Sequence, residues 1–288
     1  MGVRRAVELA CAEAELNQGT VCTLGPLIHN PQVMDDLKHL GVEILDESTL
    51  SENLNGVSVI IRAHGISPQT EADLHRRGAV IIDATCPRVK LSQLKAAALA
   101  DAGYRIFLAG EETHAEIIGI RGYAEKAAAV YCTVVGCAAD AQEAAAKLYA
   151  EDSAHQACET SCQEKTALIA QTTISAEEYR AIGDAIIRFF PDLEIAETIC
   201  EATSERQDSL RELLDNVDAI IIAGGKDSAN TRRLMLIAES AGKPCALVES
   251  TSDIPPGFFA FRSVGLAAGA STPDSLIDAI ERALEAGY

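Results

Sequence analysis

Cys86, in "DATCP", and Cys200, in "TICEAT", stand where chemistry is easiest to build. Each closes an apolar run, and a helix-period stretch follows at once, so both thiols belong at strand-to-helix junctions. A lone cysteine in such a place reads as a small buried side chain. These two are related. From Cys86 to Gly110 and from Cys200 to Gly224 the separation is 24 residues in both cases, and each interval holds a helical pattern and then a β-rich strand. Four residues past each glycine comes a polar side chain, His114 in "GEETHAEIIG" and Ser228 in "GGKDSANT". A third copy near the start places His29 four residues after Gly25. Thiolates can bind a metal or do redox chemistry. Histidine, hydroxyl and amide groups at a helix start suit an anion, which the free N–H groups and dipole of the first turn attract.

The elements that must position these residues repeat as well. "VIIRAHGIS" presents His64, "ALIAQTTIS" presents Gln171, Thr172 and Thr173, and "VGLAAGAST" presents Ser271. Helical patterns follow near "PQTEADL", "AEEYRAI" and "PDSLIDAI", and in two copies a further strand, "AVIIDATC" or "EIAETIC", then reaches a cysteine. Strands alternating with helices call for parallel sheets. The expected fold is α/β, with three related α/β units of small parallel sheets around a pseudo-threefold axis and a central iron–sulfur site. The units span residues 1–86, 87–199 and 200–288. Pro87 fits the first helical position, which needs no N–H. Ser228 and Ser271 read also as helix N-caps. "GGK" at 224–226 lacks the GxxxxGK[ST] spacing, which excludes a nucleotide triphosphatase.

Residues 1–25 look like the helix-plus-strand piece that follows Cys86 and Cys200, and counting back 24 residues from Gly25 reaches Met1. The repeat therefore places a strand ending in a third cysteine just upstream of Met1. Cys11 lies inside the helical stretch and is no substitute. Three thiolates on one axis suit a [4Fe–4S] cluster with one iron open to substrate. Two alone could hold a cluster that bridges subunits, or simply lie near each other. Residues 1–288 by themselves are expected to retain a cluster weakly and to show low activity.

Bulk properties narrow the classes. The chain has 288 residues, 48% of them hydrophobic, and no tryptophan, so its core rests on Ala, Ile, Leu and Val. No apolar run reaches the ~18 residues of a membrane span, and no signal-peptide pattern opens the chain. The expected location is the cytoplasm, with no membrane partner. A net charge of −19 repels a polyanion, so nucleic acid is not expected as a partner. The nine cysteines lack the dense spacing of a secreted disulfide scaffold. Cys132, Cys137, Cys158 and Cys162 read as incidental thiols on variable surface.

The ordered motifs "GVRRAVE", "HNPQV", "AHGIS", "DATCP", "HAEIIG", "QTTIS", "TICEAT", "GGKDSANT" and "AGASTPD" run through essentially the whole chain. In them the sequence resembles the 4-hydroxy-3-methylbut-2-enyl diphosphate reductases, iron–sulfur enzymes that end the non-mevalonate isoprenoid pathway. The resemblance implies reductive dehydroxylation of that diphosphate to isopentenyl and dimethylallyl diphosphate at a [4Fe–4S] cluster. Of the cluster ligands it matches Cys86 and Cys200, and it sets the third one residue before Met1, in a "C-x-G-V" motif. It implies that His29, His64, His114, Ser228, Asn230 and Ser271 bind the diphosphate and that Glu116 supplies a proton. It implies that Thr172 stands close to the substrate, both orienting and binding it. Ferredoxin or flavodoxin is the implied electron donor. Three positions depart from the family: Ala229 replaces a serine, "HAEI" stands where "HPEV" is common, and Gln93 replaces a histidine usual soon after "DATCP". Against the enzyme stands a degenerate relative that binds a diphosphate or a partner without turnover.

Overall fold

The computed structural model describes residues 2–17, 19–127, 131–155 and 165–287. In chain order the elements are α1 (Gly2–Leu16), β1 (Thr20–Leu24), α2 (Pro31–His39), β2 (Val42–Leu45), β3 (Val57–Ile61), α3 (Pro68–Arg76) and β4 (Val80–Asp83). Then come α4 (Pro87–Asp101), β5 (Arg105–Ala109), α5 (Ala115–Ala127), β6 (Cys132–Val135), α6 (Ala138–His155), β7 (Thr166–Ala170), α7 (Ala176–Ile187) and β8 (Glu194–Ile195). The last are α8 (Glu201–Leu214), β9 (Ala219–Ala223), α9 (Ala229–Ser240), β10 (Cys245–Val248), β11 (Val264–Ala268) and α10 (Asp274–Ala286). The strands form three small parallel sheets, built around β1, β5 and β9. The α/β expectation holds.

By contact density the chain divides into two compact units. One comprises Met1–Ser51, Gly56–Ala63 and Glu201–Tyr288, the other Glu52–Asn55 and His64–Cys200. In the first unit β1 is flanked by β2 and β3, and β9 by β10 and β11, all parallel. β9 reads "AIIIA" because both its faces are covered, as a parallel strand requires. Ile221 packs with Leu276, Ile280 and Leu284 of α10, while Ile220 and Ile222 pack with Leu210 and Leu214 of α8 and Leu234 of α9. Each such fully buried aliphatic side chain contributes about 1.5–3 kcal/mol.

The second unit holds the sheet β6-β5-β7-β8. Phe107 and Leu168 face α6 and α7, whereas Ile106, Leu108 and Ile169 face α4 and α5. Arg105 opens β5 with a buried side chain, and the Asp152 carboxylate neutralises it through bonds of 2.7 and 2.8 Å. Cys132 lies on β6, not on variable surface, and burial pushes its thiol up to about 12. Cys137 is exposed, and Cys158 and Cys162 lie outside the described residues. No helix among the described residues is long and apolar enough to cross a membrane.

The junctions decide where functional groups stand. Asn30, Ser67, Ser175 and Ser228 cap α2, α3, α7 and α9, each accepting a bond from the N–H three residues on. Pro87 takes the first position of α4, directly after Cys86, as expected. Ser271 departs from expectation, since Pro273 is the residue that precedes α10. The Thr272 hydroxyl donates instead to Ala223 O at 2.9 Å and its N–H to Gly269 O, a tight turn that leaves Ser271 short of the helix.

The strands before the two key cysteines also stop early, β4 at Asp83 and β8 at Ile195. Side chains bond the backbone there. Asp83 accepts the Thr85 N–H at 2.9 Å. The Thr198 hydroxyl accepts from Ala170 N at 2.9 Å and donates to Ala170 O at 3.1 Å. The Tyr179 hydroxyl lies 2.8 Å from both Leu168 O and Ala196 O. The segment leading to Cys200 is irregular yet fastened at every second residue.

Thr198→Val removes that substitute for the ladder while keeping the branched shape. The expected loss is about 1–2 kcal/mol of stability, because two β7 backbone groups lose their partner. A urea titration checks it; a midpoint equal to that of the unchanged chain would contradict this reading of the segment.

Candidate active site

Two constellations emerge, one in each unit. In the second unit, Gly65 adopts φ 72, which lets the chain turn sharply after His64. His114 stands in the loop between β5 and α5, mostly buried, and its ring meets that of His64 edge to face, centroid to centroid 5.2 Å. The Glu116 N–H donates to His114 Nδ1 at 3.2 Å. An accepting Nδ1 puts the proton of the neutral ring on Nε2, a donor suited to a phosphate oxygen.

Glu116 lies in the first turn of α5 and is 1% exposed. A carboxylate that far from water needs donors. Thr172 provides two, its N–H at 2.7 Å and its hydroxyl at 3.0 Å, one to each carboxylate oxygen. Thr172 is itself held by neighbours. Gln171 is fully buried; its N–H donates to Ala109 O, its Oε1 accepts the Glu111 N–H, and its amide nitrogen donates to the Thr173 hydroxyl. A Cβ on Gly110 would come within 2.7–2.8 Å of Gln171 and Ile117, so only glycine lets these two loops close on each other. The Thr172 carbonyl accepts the Cys200 N–H at 2.9 Å. Cys86 and Cys200 both carry free, half-buried thiols, each immediately before a helix. Contacts and bonds therefore join His64 to His114, and His114 through Glu116 and Thr172 to Cys200. Cys86 is positioned by α4.

In the first unit, His29 precedes Asn30, whose buried side chain caps α2. Gly225 packs directly on the His29 carbonyl, so the loop after β9 and the loop after β1 touch through backbone. The Ser228 hydroxyl caps α9 by accepting the Thr231 N–H at 3.4 Å. Beside it, a group of buried polar atoms has no hydrogen-bond partner: both amide atoms of Asn230, Oγ1 of Thr231 and Oγ of Ser271. Such orphans are rare, and each costs about 1–3 kcal/mol unless a ligand meets it. An amide and two hydroxyls waiting at the N-terminus of α9 suit an anion rich in oxygen. Ala229 adds only a methyl group here.

Two residues escaped the sequence reading. Thr231 sits 2.9 Å from the place a Cβ on Gly224 would take and also crowds Gly269, so both glycines exist to admit it. Its signal was its place at the close of "GGKDSANT". Arg62 lies with its guanidinium 2.9 Å from the Cβ position of Gly25, ahead of His29, and burial lowers its pKa while Glu47 opposes the shift. It brings a buried cation to the loop that leads to His29.

A family model described as "LytB protein" matches residues 1–285. The 4-hydroxy-3-methylbut-2-enyl diphosphate reductase of Treponema pallidum (strain Nichols) is 42% identical over 303 residues, covering 99% of this chain and 81% of its own. The reductase of the same name from Aquifex aeolicus is 37% identical, covering 99% and 92%. Among solved structures, one titled as (E)-4-hydroxy-3-methyl-but-2-enyl diphosphate reductase, the terminal enzyme of the non-mevalonate pathway, aligns with TM-score 0.68 at 36% identity, covering 99% of this chain and 95% of that one. The E-1-hydroxy-2-methyl-but-2-enyl-4-diphosphate reductase of Plasmodium falciparum aligns with TM-score 0.85 at 25% identity, covering 98% and 83%.

Gly225→Ala places a methyl group on the His29 carbonyl and must push the two loops of the first unit apart. Affinity for inorganic diphosphate, read by calorimetric titration, is expected to fall at least tenfold, about 1.4 kcal/mol. Gly257→Ala, in open space, is the control and should bind as the unchanged chain does. Equal affinity in both variants would remove these loops from the anion site.

Proposed function

The chain belongs to the LytB protein family, and on that premise we propose that it reduces 4-hydroxy-3-methylbut-2-enyl diphosphate to isopentenyl and dimethylallyl diphosphate. The observation that carries this reading is the buried Glu116 carboxylate, bonded twice by Thr172, which in turn bonds Cys200. In the reaction two electrons and two protons enter, the allylic C–O bond breaks, the hydroxyl leaves as water, and a C–H bond forms. A proton donor must stand at the departing oxygen, and Glu116 is that residue. Thr172 orients the same hydroxyl, and its bonds to both carboxylate oxygens hold Glu116 in place meanwhile.

The diphosphate falls to His29, His64, His114, Ser228, Asn230 and Ser271. The unsatisfied amide of Asn230 and hydroxyl of Ser271 support their share, and the Nε2 proton of His114 supports its own. Thr231 joins the set on the same ground as Asn230. Hydrogen bonding from histidine, hydroxyl and amide groups lets a chain of net charge −19 hold a dianion, with Arg62 as a nearby cation.

The cofactor we assign is a [4Fe–4S] cluster. The donor set fits it: two soft, free thiols, half-buried, each at the start of a helix whose first turn favours negative charge. When bound, the cluster supplies the two electrons and a Lewis-acidic iron. The electrons come from ferredoxin or flavodoxin, and the protein works in the cytoplasm. A relative that binds without turnover has no use for the Glu116–Thr172 pair, and no observation favours it.

Glu116→Gln keeps size and polarity but removes the transferable proton. It should lower kcat about 10²–10³-fold while leaving affinity for inorganic diphosphate and iron content within twofold. A viologen-coupled assay with titration of diphosphate and iron checks all three. A kcat near that of the unchanged enzyme would transfer the proton-donor role elsewhere.

A further inference from the structure

We propose that Gln93 is a positioning residue for His64, setting the diphosphate-binding geometry without touching the substrate; this deepens the function proposed above and rests on it. Gln93 lies on α4, two turns past Cys86, and is 1% exposed. Its side-chain amide occupies the space over Gly65, where any Cβ would collide with it, and stands 2.9 Å from the Cβ position of Gly119 on α5. The amide nitrogen donates to the Ile66 carbonyl at 3.5 Å, and the Thr85 methyl closes the side toward the Cys86 turn.

One side chain thus keys three elements together. The turn after His64 leans on it through Gly65 and Ile66, α5 leans on it through Gly119 one turn past Glu116, and α4 carries it. Both glycines are explained by the amide that fills their missing Cβ. An amide is a costly choice for a buried site between helices, where Leu would fill nearly the same volume without a polar group to satisfy. What Leu cannot do is hold the Ile66 carbonyl. Losing that bond frees a turn that the left-handed Gly65 already makes compliant, and His64 sits on its near side. Glu116 keeps its own two bonds to Thr172, so proton delivery does not depend on Gln93.

The test uses the full chain carrying Gln93→Leu and Gln93→His, the latter restoring a ring N–H donor. With ¹⁵N-labelled histidine, the His64 ring resonances are expected to move in Gln93→Leu and to return in Gln93→His, while those of the exposed His39 stay put. In turnover, Gln93→Leu should raise KM and the Kd for inorganic diphosphate at least fivefold with kcat within twofold, and Gln93→His should recover most of the loss. Thermal melting of the three proteins separates positioning from packing. Unmoved His64 resonances, or a kcat that falls as much as KM rises, would overturn the proposal. So would a melting temperature that drops equally in both variants with no rescue of binding. Moved resonances beside an unchanged diphosphate affinity would uphold the role of Gln93 and count against His64 as a diphosphate ligand.

Discussion

A carboxyl group withdrawn from water needs hydrogen-bond partners, and Glu116 finds them in Thr172. Much of the second unit can be derived from that demand. For Thr172 to offer both N–H and hydroxyl, the loop after β7 must lie flat against the first turn of α5. Gln171 secures it by bonding Ala109 and Glu111, and Gly110 leaves it room. The Thr172 carbonyl then takes the Cys200 N–H, so one residue sets the distance between Glu116 and Cys200. Parallel strands make this economical. Their ends all reach the same edge, and each delivers a loop and a helix N-terminus there.

The first unit follows the opposite rule. The second unit satisfies the buried Glu116 internally, whereas the first leaves Asn230, Thr231 and Ser271 unsatisfied. That arrangement suits a group that must bind and release a ligand, since the bonds withheld from the protein are the ones the ligand makes. It also accounts for the glycines. Gly224, Gly225 and Gly269 let backbone and small polar side chains crowd to a density that any Cβ would disrupt.

The repeat was legible in the sequence because it lies in local chemistry. A strand, a glycine and a polar residue four positions on recur as Gly25/His29, Gly110/His114 and Gly224/Ser228, and the structure has a strand, a loop and a helix at each. Pro87 at the start of α4 and the helix starts at Pro68, Ala176 and Asp274 were readable for the same reason. What local pattern could not show was tertiary substitution. Thr198 replaces ladder bonds with its hydroxyl and Asp83 closes a local turn on Thr85, so β8 and β4 stop short of their cysteines. Thr272 diverts the turn that would have made Ser271 a cap. The partly buried setting of Cys132 depends on packing against α5 and pairing with β5, which "YCTVV" itself does not show. Gln93 and Thr231 matter through glycines that only the folded chain brings to them.

The claim on which the rest turns is that Cys86 and Cys200 are metal ligands and the other described thiols are not. Iron and acid-labile sulfide per chain, measured on protein purified anaerobically from its own cells, test it directly. The account expects about four of each, with loss in Cys86→Ser and in Cys200→Ser and full retention in Cys137→Ser. Equal iron in all three variants would place the metal elsewhere and contradict the account.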